Sequence, residues 1–202
     1  MPDWVEWHTA YESDTPLARR LVAVQERIAQ ALTSAGAGPV RLLSLCAGAG
    51  HDVLPVLADH PRGRDVVGRL VEHDPRLCTA ARRAAPPGVE VVTGDAGTTA
   101  ACVGAVPTDL LLLCGILGNV SDDDVRRTVA AVPALLAAGG TVVWTRHTGP
   151  PDLTPRVRAW FAAAGVAETA FVTGDRWSVG AGMRRAAPEP LAPDRRLFTF
   201  VR

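Results

Sequence analysis

Short apolar runs alternate with helical segments along most of this chain, and this alternation limits the possible folds more than any other feature. The runs are continuous rather than alternating in polarity, as expected for strands that are buried on both faces. Five such runs occur at residues 40–45, 68–71, 89–92, 110–114 and 141–144. Helical segments are predicted to start at Asp52, Pro75, Thr98, Ser121 and Thr154. Five strand–helix units predict a doubly wound, mostly parallel α/β sheet with helices on both faces.

The pattern changes after Gly165, where short apolar segments are separated by turn-rich stretches. Residues 170–172, 177–179 and 197–201 predict antiparallel strands added at one edge of the sheet. A stretch rich in Pro and Ala, residues 186–193, predicts a surface loop between the last two strands. An exposed strand at 197–201 could pair with a partner or be covered by a loop, so the sequence leaves the oligomeric state open.

The N-terminal part predicts a helix preceded by an aromatic segment. Asp14-Thr15-Pro16 is a helix start, and apolar residues then recur every three or four positions up to a predicted helix end near Gly36. Before this helix, Trp4, Trp7, His8 and Tyr11 concentrate aromatic character in a protein with only 5% aromatic residues. This segment is interpreted either as a staple that packs onto the domain or as a lid over a ligand.

The length of 202 residues and the apolar content of 48% favour one domain. We expect three parts within it: an N-terminal helical cap at 1–36, a core at 37–150, and a C-terminal helix with antiparallel strands at 151–202. Neither a basic and apolar leader nor an apolar stretch of membrane-spanning length occurs, which predicts a cytoplasmic protein without a membrane partner. All the positive side chains are arginines and alanine is abundant, which suggests a GC-rich bacterial genome.

Charge, cysteine and histidine content argue against several functions. The chain carries 21 positive and 21 negative side chains without a basic stripe, so a nucleic-acid partner is not expected. Four cysteines at unrelated spacings predict no disulfide framework, and the five histidines lack the spacing of metal ligands. Ser121, followed by three aspartates, predicts a helix cap rather than a metal site.

A glycine turn and a downstream acid predict a nucleoside site. Gly48-Ala49-Gly50 directly follows the first apolar run, and Glu72 ends the second. A strand that ends in a tight glycine turn lets backbone approach a ligand, and an acid about 20 residues later can reach a ribose hydroxyl.

Two residues after this turn argue against a dinucleotide. The dinucleotide fingerprint requires Gly or Ala at position 53, where this chain has Val53. Asp52 lies where a pyrophosphate would rest and would repel it. The same carboxylate suits a ligand with an ammonium or sulfonium group, which favours S-adenosylmethionine over NAD.

Five motifs in order resemble those of the class I S-adenosylmethionine-dependent methyltransferases, and in particular a group of compact actinobacterial members. They are LSLCAGAGHD, LVEHDP, VTGDA, DLLLLCGILGN and LAAGGTVVW, the last containing the glycine turn expected before the fifth strand. Together they cover about residues 40–145. The resemblance implies a Rossmann-like, seven-stranded sheet whose last strand is antiparallel, and S-adenosyl-L-methionine as cofactor.

The resemblance also implies roles for individual residues. Gly48 and Gly50 would let backbone approach the methionine part, and Glu72 would hold the ribose hydroxyls. Asp95 and Ala96 would flank the adenine, while Cys114 and Gly115 would present backbone near the methionine amine. The full set of expected cofactor-binding residues is Ala47, Gly48, Gly50, Asp52, Glu72, His73, Asp95, Ala96, Cys114 and Gly115.

The implied reaction is in-line transfer of the methyl group to a small-molecule acceptor. A general base is needed only for an acceptor of high pKa. His147 is a candidate because it follows the fifth strand, at the end where parallel sheets bind ligands; Tyr11 and His8 are the others. The candidate substrate-binding residues are Trp7, Arg20, Asn119 and Arg146.

Two other functions are consistent with the same motifs. One is an enzyme that breaks another bond to the sulfur, for instance by closing the aminobutyrate arm into azetidine-2-carboxylate and releasing methylthioadenosine. The other is a module that senses the cofactor without turnover. The spent cofactor separates them, because methyl transfer leaves S-adenosylhomocysteine and sensing consumes nothing.

Overall fold

The computed structural model describes residues 15–201, and within them seven strands form one sheet. The strands are β1 (Val40–Leu45), β2 (Val66–Glu72), β3 (Val89–Thr93), β4 (Thr108–Leu113), β5 (Leu136–His147), β6 (Val166–Gly174) and β7 (Trp177–Arg184). Their order across the sheet is β3-β2-β1-β4-β5-β7-β6. The first five strands pair in parallel, whereas β7 runs antiparallel between β5 and β6. The predicted Rossmann-like, mostly parallel seven-stranded sheet is confirmed.

Five α-helices occur in the described part of the chain, one before β1 and four between strands. They are α1 (Pro16–Ser34), α2 (Leu54–Asp59), α3 (Pro75–Ala84), α4 (Asp122–Leu135) and α5 (Thr154–Ala163). Side-chain caps start three of them: the hydroxyl of Thr15 accepts from Ala18, the carboxylate of Asp74 from Arg76, and the hydroxyl of Ser121 from Asp124. Among residues 15–201, no helix combines the length and apolar character needed to cross a bilayer.

The segment after β1 differs from the prediction, because its helix is short and starts late. The chain turns between Gly50 and Val53, and α2 begins only at Leu54, not at Asp52. Val53 lies before the helix with φ −121° and offers no side-chain cap. The helix predicted from Thr98 is likewise only a short 3₁₀ turn, Thr99–Cys102.

Gly139 and Gly140, which were predicted to form a turn before the fifth strand, lie within that strand. β5 already begins at Leu136, and its pairing with β4 shifts register between Thr108 and Leu110. Gly139 adopts φ +80° at this irregularity. The glycines therefore form a bulge in a long strand rather than the turn that was predicted.

Two apolar layers cover the sheet, because adjacent side chains of a strand point to opposite faces. In β4, Leu110 and Leu112 pack with the layer that contains α1, α2 and α3. Leu111 and Leu113 pack with the opposite layer, which contains α4 and α5. All four side chains are at most 1% exposed, as the continuous apolar run predicts for a central strand.

Helix α1 belongs to the apolar layer that also contains α2 and α3. Its buried residues Ala23, Val24, Ile28 and Leu32 recur at the spacing of one helix face and pack onto the sheet. In the predicted cap at 1–36, residues 16–34 therefore form a helix that is packed against the sheet. The aromatic segment of Trp4, Trp7, His8 and Tyr11 lies outside the described residues.

Residues 197–201 are not an edge strand, contrary to the prediction. After β7 the chain returns across the sheet to the ends of β3 and β4, where isolated bridges join Arg196 to Thr98 and Phe200 to Val120. Leu197 is fully buried, and its carbonyl accepts a hydrogen bond from Thr128 of α4. We call residues 196–201 the C-terminal strap. The strap crosses the sheet instead of extending it because its apolar side chains complete the layer of α4 and α5.

Glycine is required at position 180 because an indole occupies the place of its side chain. Trp144 lies opposite Gly180 in the β5–β7 pairing and stacks on Phe161 of α5, with ring centroids 5.4 Å apart. A Cβ atom on Gly180 would lie 2.2 Å from Cε2 of Trp144. The small residue in β7 therefore makes room for the indole of Trp144.

We expect Gly180→Ala to lower the free energy of unfolding by about 1–3 kcal/mol, the usual cost of overpacking a core. Urea denaturation followed by circular dichroism measures the change. Gly36→Ala is the matched control, because no heavy atom lies within 4 Å of a Cβ at that position. Equal stability of the two variants would contradict the role assigned to Gly180.

Candidate functional site

A cavity of about 820 Å³ opens at the carboxyl ends of β1, β2, β3 and β4. This volume lies within the range of about 300–1,000 Å³ that is usual for small-molecule sites. The place is the one expected for a ligand in an open α/β sheet, beside the switch in strand order at β1 and β4. The lining residues come from the turn after β1, the ends of β2, β3 and β4, helix α1, helix α3 and the C-terminal strap.

The turn after β1 forms the floor of the cavity. Gly48 and Gly50 have φ values of +58° and +80°, which glycine adopts at little cost. A Cβ on Gly50 would lie 2.4 Å from Cδ1 of Leu54, so the turn packs tightly on α2. Ala47 and Gly48 line the cavity, whereas Gly50 is buried beneath them and supports the turn. Cys46 lines the cavity from a left-handed backbone position, φ +55°, which is strained for a residue with a side chain.

The carboxylate of Glu72 joins this turn to the end of β2. One of its oxygens accepts a hydrogen bond of 2.8 Å from the backbone N–H of Gly48. The other accepts from the N–H groups of His73 and Asp74, at 2.8 and 2.9 Å. A carboxylate has about four acceptor positions, so Glu72 retains capacity for a ligand hydroxyl.

Asp52 supplies negative charge at another part of the cavity. Burial raises the pKa of Asp52 above its ordinary value, and the positive charge of Arg20 and the nearby His51 oppose this rise. All three residues line the cavity. Burial also raises the pKa of the Cys114 thiol, and the charge of Asp52 adds to this effect, so Cys114 stays a neutral apolar residue there.

The loop after β4 is fixed by hydrogen bonds of its own. The N–H of Gly115 donates to the hydroxyl of Thr145 at 2.8 Å, and the carbonyl of Gly115 accepts from the side-chain amide of Asn119 at 2.8 Å. Gly115 and Asn119 both line the cavity. The amide of Asn119 therefore shapes the loop that faces the ligand space.

Asp95, at the end of β3, is held by two partners. One carboxylate oxygen accepts from the N–H of Gly97 at 2.7 Å, and the other pairs with Arg196 of the strap at 2.6 Å. Burial raises the pKa of Asp95, but these hydrogen bonds outweigh burial and hold the pKa below its ordinary value. Asp95 is therefore a charged carboxylate whose charge is matched by Arg196.

Three candidate residues lie outside the cavity lining, namely Gly50 beneath the turn, Arg146 and His147. Arg146 is 7% exposed, and its guanidinium donates to the carbonyl of Leu117. Arg146 therefore supports the loop after β4 through this hydrogen bond and does not line the cavity. His147 packs against the same loop, with its Cδ2 atom 3.0 Å from the place of a Cβ on Gly118.

Of the other predicted residues, eleven line the cavity. They are Arg20, Ala47, Gly48, Asp52, Glu72, His73, Asp95, Ala96, Cys114, Gly115 and Asn119. Trp7, His8 and Tyr11 lie outside the described residues. Within residues 15–201, no group of three potential metal ligands comes together.

Sequence reasoning missed a second set of lining residues. Pro75 ends the second motif, and Arg76 and Leu77 follow it directly, so their place in the sequence was a usable signal. Four others come from the strap and had no such signal, because they lie about 100 positions after the strand ends that they meet. The strap residues in the lining are Arg196, Phe198, Thr199 and Phe200.

No protein-family model matches this chain. One curated relative, an NAD(P)H-hydrate epimerase of Clavibacter sepedonicus, is 36% identical over 117 residues. The match covers 54% of this chain and 50% of the relative, so the chain matches about half of that protein's length.

Solved structures match over most of the described fold. An O-methyltransferase family protein of Burkholderia thailandensis has a TM-score of 0.62 at 17% identity, covering 89% of this chain and 63% of its own. A TehB-like S-adenosylmethionine-dependent methyltransferase of Corynebacterium glutamicum has a TM-score of 0.60 at 16% identity, covering 87% and 98%.

A third match is the magnesium protoporphyrin IX methyltransferase of Synechocystis with bound S-adenosylmethionine. Its TM-score is 0.61 at 11% identity, covering 82% of this chain and 79% of the enzyme. All three resemble this chain in fold and not closely in sequence. The chain has the fold of the class I S-adenosylmethionine-dependent methyltransferases.

Proposed function

We propose that this protein is an S-adenosylmethionine-dependent methyltransferase that transfers a methyl group to a small-molecule acceptor by in-line displacement. One observation carries the proposal: Glu72 and Asp52 place two carboxylates on the wall of one cavity at the carboxyl edge of the sheet. A ligand with ribose hydroxyls and an ammonium group matches this pair, because hydroxyls donate to Glu72 and the positive group is attracted to Asp52.

The remaining walls fit the same ligand. Gly48 lines the same cavity with backbone and no side chain. Ala96 and Phe198 give an apolar surface beside the end of β3, where a base can leave water. We assign nine lining residues to the cofactor: Ala47, Gly48, Asp52, Glu72, His73, Asp95, Ala96, Cys114 and Gly115. Gly50 would support them from beneath the turn.

In the proposed reaction, the bound cofactor supplies a methyl group that its own sulfonium charge has activated. The chain has to hold this methyl in line with the acceptor atom and to exclude water. In model reactions, holding two reacting groups in the right geometry lowers the activation free energy by up to about 7–11 kcal/mol. Asn119 and Arg20 line the cavity and are proposed to meet the acceptor. Arg146 and His147 would act on it only through the loop after β4.

A dinucleotide fits the site less well, although the relative from Clavibacter sepedonicus is named for an NAD(P)H derivative. Pyrophosphate binds at the N-terminus of a helix through free N–H groups and the helix dipole. Here the helix after the turn is only six residues long and begins beyond Asp52, whose charge repels phosphate.

We expect the protein to consume S-adenosylmethionine and release S-adenosylhomocysteine when incubated with extract of a related bacterium. Chromatography of the spent cofactor measures the product. Methylthioadenosine as the product would show attack on the other arm and overturn the methyl-transfer proposal. Tight binding without any consumption would instead support a sensing module.

Glu72→Ala should weaken the binding of S-adenosylhomocysteine by about ten- to a hundredfold, the usual loss for a hydrogen bond to a charged group. Isothermal titration calorimetry measures the dissociation constant. The change also removes the partner of the Gly48 N–H, so a thermal melt must show that the variant is folded. Glu26→Ala, on the exposed side of α1, is the control, and an affinity of Glu72→Ala equal to that control would refute the ribose assignment.

As the pH is lowered from about 8, the affinity for S-adenosylhomocysteine should begin to fall at a higher pH than it would beside an ordinary aspartate, whose pKa is about 3.9. Burial raises the pKa of Asp52, so protonation removes its charge at a higher pH and the ligand ammonium loses its partner. Asp52→Asn should bind more weakly at pH 8 and show a flatter profile.

Methylthioadenosine is the control ligand for this profile, because it carries the nucleoside without the ammonium group. His51 also lines this part of the cavity and is unchanged in Asp52→Asn, so the difference between the two profiles isolates the aspartate. Parallel profiles for Asp52→Asn and the native protein would rule out the ammonium assignment.

A further inference from the structure

Asn119 lines the cavity from the loop after β4, and most of its polar groups already have partners in the protein. Its backbone N–H donates to the carbonyl of Ile116 at 2.9 Å, and its backbone carbonyl accepts from the N–H of Val201 in the strap at 3.0 Å. Its side-chain amide nitrogen donates to the carbonyl of Gly115 at 2.8 Å. Within the described part of the chain, only the side-chain oxygen Oδ1 has no donor.

The hydrogen bond to Gly115 also decides the orientation of the Asn119 amide. A carbonyl oxygen can only accept, so the atom that faces the Gly115 carbonyl must be Nδ2 and not Oδ1. Gly115 is itself fixed, because its N–H donates at 2.8 Å to the hydroxyl of Thr145, a residue that is 2% exposed. Oδ1 is therefore a hydrogen-bond acceptor whose position is set before a ligand arrives.

The charges near this loop do not favour an anion. The charge of Asp52 reaches Cys114, the residue before Gly115, and helps to raise the pKa of its thiol. The positive charge of Arg20 acts on the same thiol in the opposite direction, so the two charges offset each other there. A carboxylate beside Asn119 would have no hydrogen to donate to Oδ1, and Asp52 would repel it.

The ammonium group of the cofactor has a stronger partner than Oδ1. Asp52 offers it a carboxylate, and hydrogen bonds between two charged groups are stronger than those to a neutral amide. Both residues line the same cavity. The oxygen of Asn119 is therefore available to the second substrate, the methyl acceptor.

We propose that the methyl acceptor reacts through a neutral O–H or N–H group, which donates its hydrogen to Oδ1 of Asn119. This inference rests on the proposed function and narrows it, because it excludes carboxylate and carbon acceptors. In the reaction, a lone pair of the acceptor oxygen or nitrogen forms a bond to the methyl carbon, and the methyl–sulfur bond breaks with its electron pair left on sulfur. The proton of the acceptor passes to water, because an amide oxygen is too weak a base to keep it.

The product made by the native protein tests this class of acceptor. The protein is incubated with S-adenosylmethionine that carries a tritiated methyl group and with the small-molecule fraction of an extract of a related bacterium. The label should stay in the product during mild alkaline hydrolysis, because methyl ethers and N-methyl groups resist conditions that release methanol from methyl esters. Release of volatile labelled methanol would identify a carboxylate acceptor and overturn the inference.

Chemical blocking of the extract gives a second result with the native protein. Acetic anhydride acetylates O–H and N–H groups, so the treated extract should lose most of its ability to take up the label. Undiminished uptake would indicate a carbon acceptor and also overturn the inference. The proposed function fails separately, if the untreated extract takes up no label at all.

Asn119→Ala should lower kcat/KM for the acceptor in the extract by about three- to tenfold, the usual effect of losing one neutral hydrogen bond. Calorimetry with S-adenosylhomocysteine should show little change in affinity, because Asp52 and not Asn119 is assigned to the ammonium group. A loss of affinity as large as the loss of kcat/KM would assign Oδ1 to the cofactor instead of the acceptor.

Thr145→Val is the matched control for a disturbed loop. It removes the partner of the Gly115 N–H but leaves the amide of Asn119 in the chain. If Thr145→Val lowers kcat/KM as much as Asn119→Ala does, the position of the loop explains the effect and Oδ1 has no role of its own. A thermal melt shows whether each variant is folded, and the labelled product of the native protein decides the class of acceptor if Asn119→Ala is not.

Discussion

The carboxylate of Glu72 is the interaction on which the candidate site depends. By accepting from the N–H groups of Gly48, His73 and Asp74, it fixes the loops after β1 and β2 relative to each other. A half-buried carboxylate costs free energy unless its oxygens are hydrogen-bonded, and here backbone donors provide that compensation on both oxygens. The parallel sheet brings the two strand ends together, but this one side chain sets the shape of the floor between them. A ligand hydroxyl would meet an acceptor that is already oriented.

The parts of the structure that depend on local sequence were predictable. Continuous apolar runs identified the first five strands because central parallel strands are buried on both faces, and Ser121 identified a helix start because its hydroxyl caps a nearby N–H. Eleven predicted residues line the cavity because strand ends converge at one edge. The strap was not predictable, since the pairing of Arg196 with Asp95 spans 101 positions and no local pattern encodes it. The bulge at Gly139 depends on pairing with β4 and was missed for the same reason.

Arginine has a structural role in this lysine-free chain. The guanidinium of Arg62 donates to the carbonyls of Ala35, Gly36 and Gly38 and so closes the connection between α1 and β1. Arg146 supports the loop after β4 in a comparable way. A planar group with five donors can satisfy several carbonyls at once, which an ammonium on a flexible stem does less well. An arginine near a site is therefore not by itself a sign of ligand binding, as the position of Arg146 illustrates.

The course of the strap also affects the order in which the protein can be completed during synthesis. Strands β1 to β4 and their ends are made by residue 113, but the segment that covers them follows 101 positions after Asp95. Contacts of such long sequence separation form late, because a large loop must close first. A nascent chain can therefore assemble the floor of the cavity while its outer wall is still missing. The ligand site is finished only when residue 201 has left the ribosome, which couples its formation to the synthesis of nearly all of the described chain.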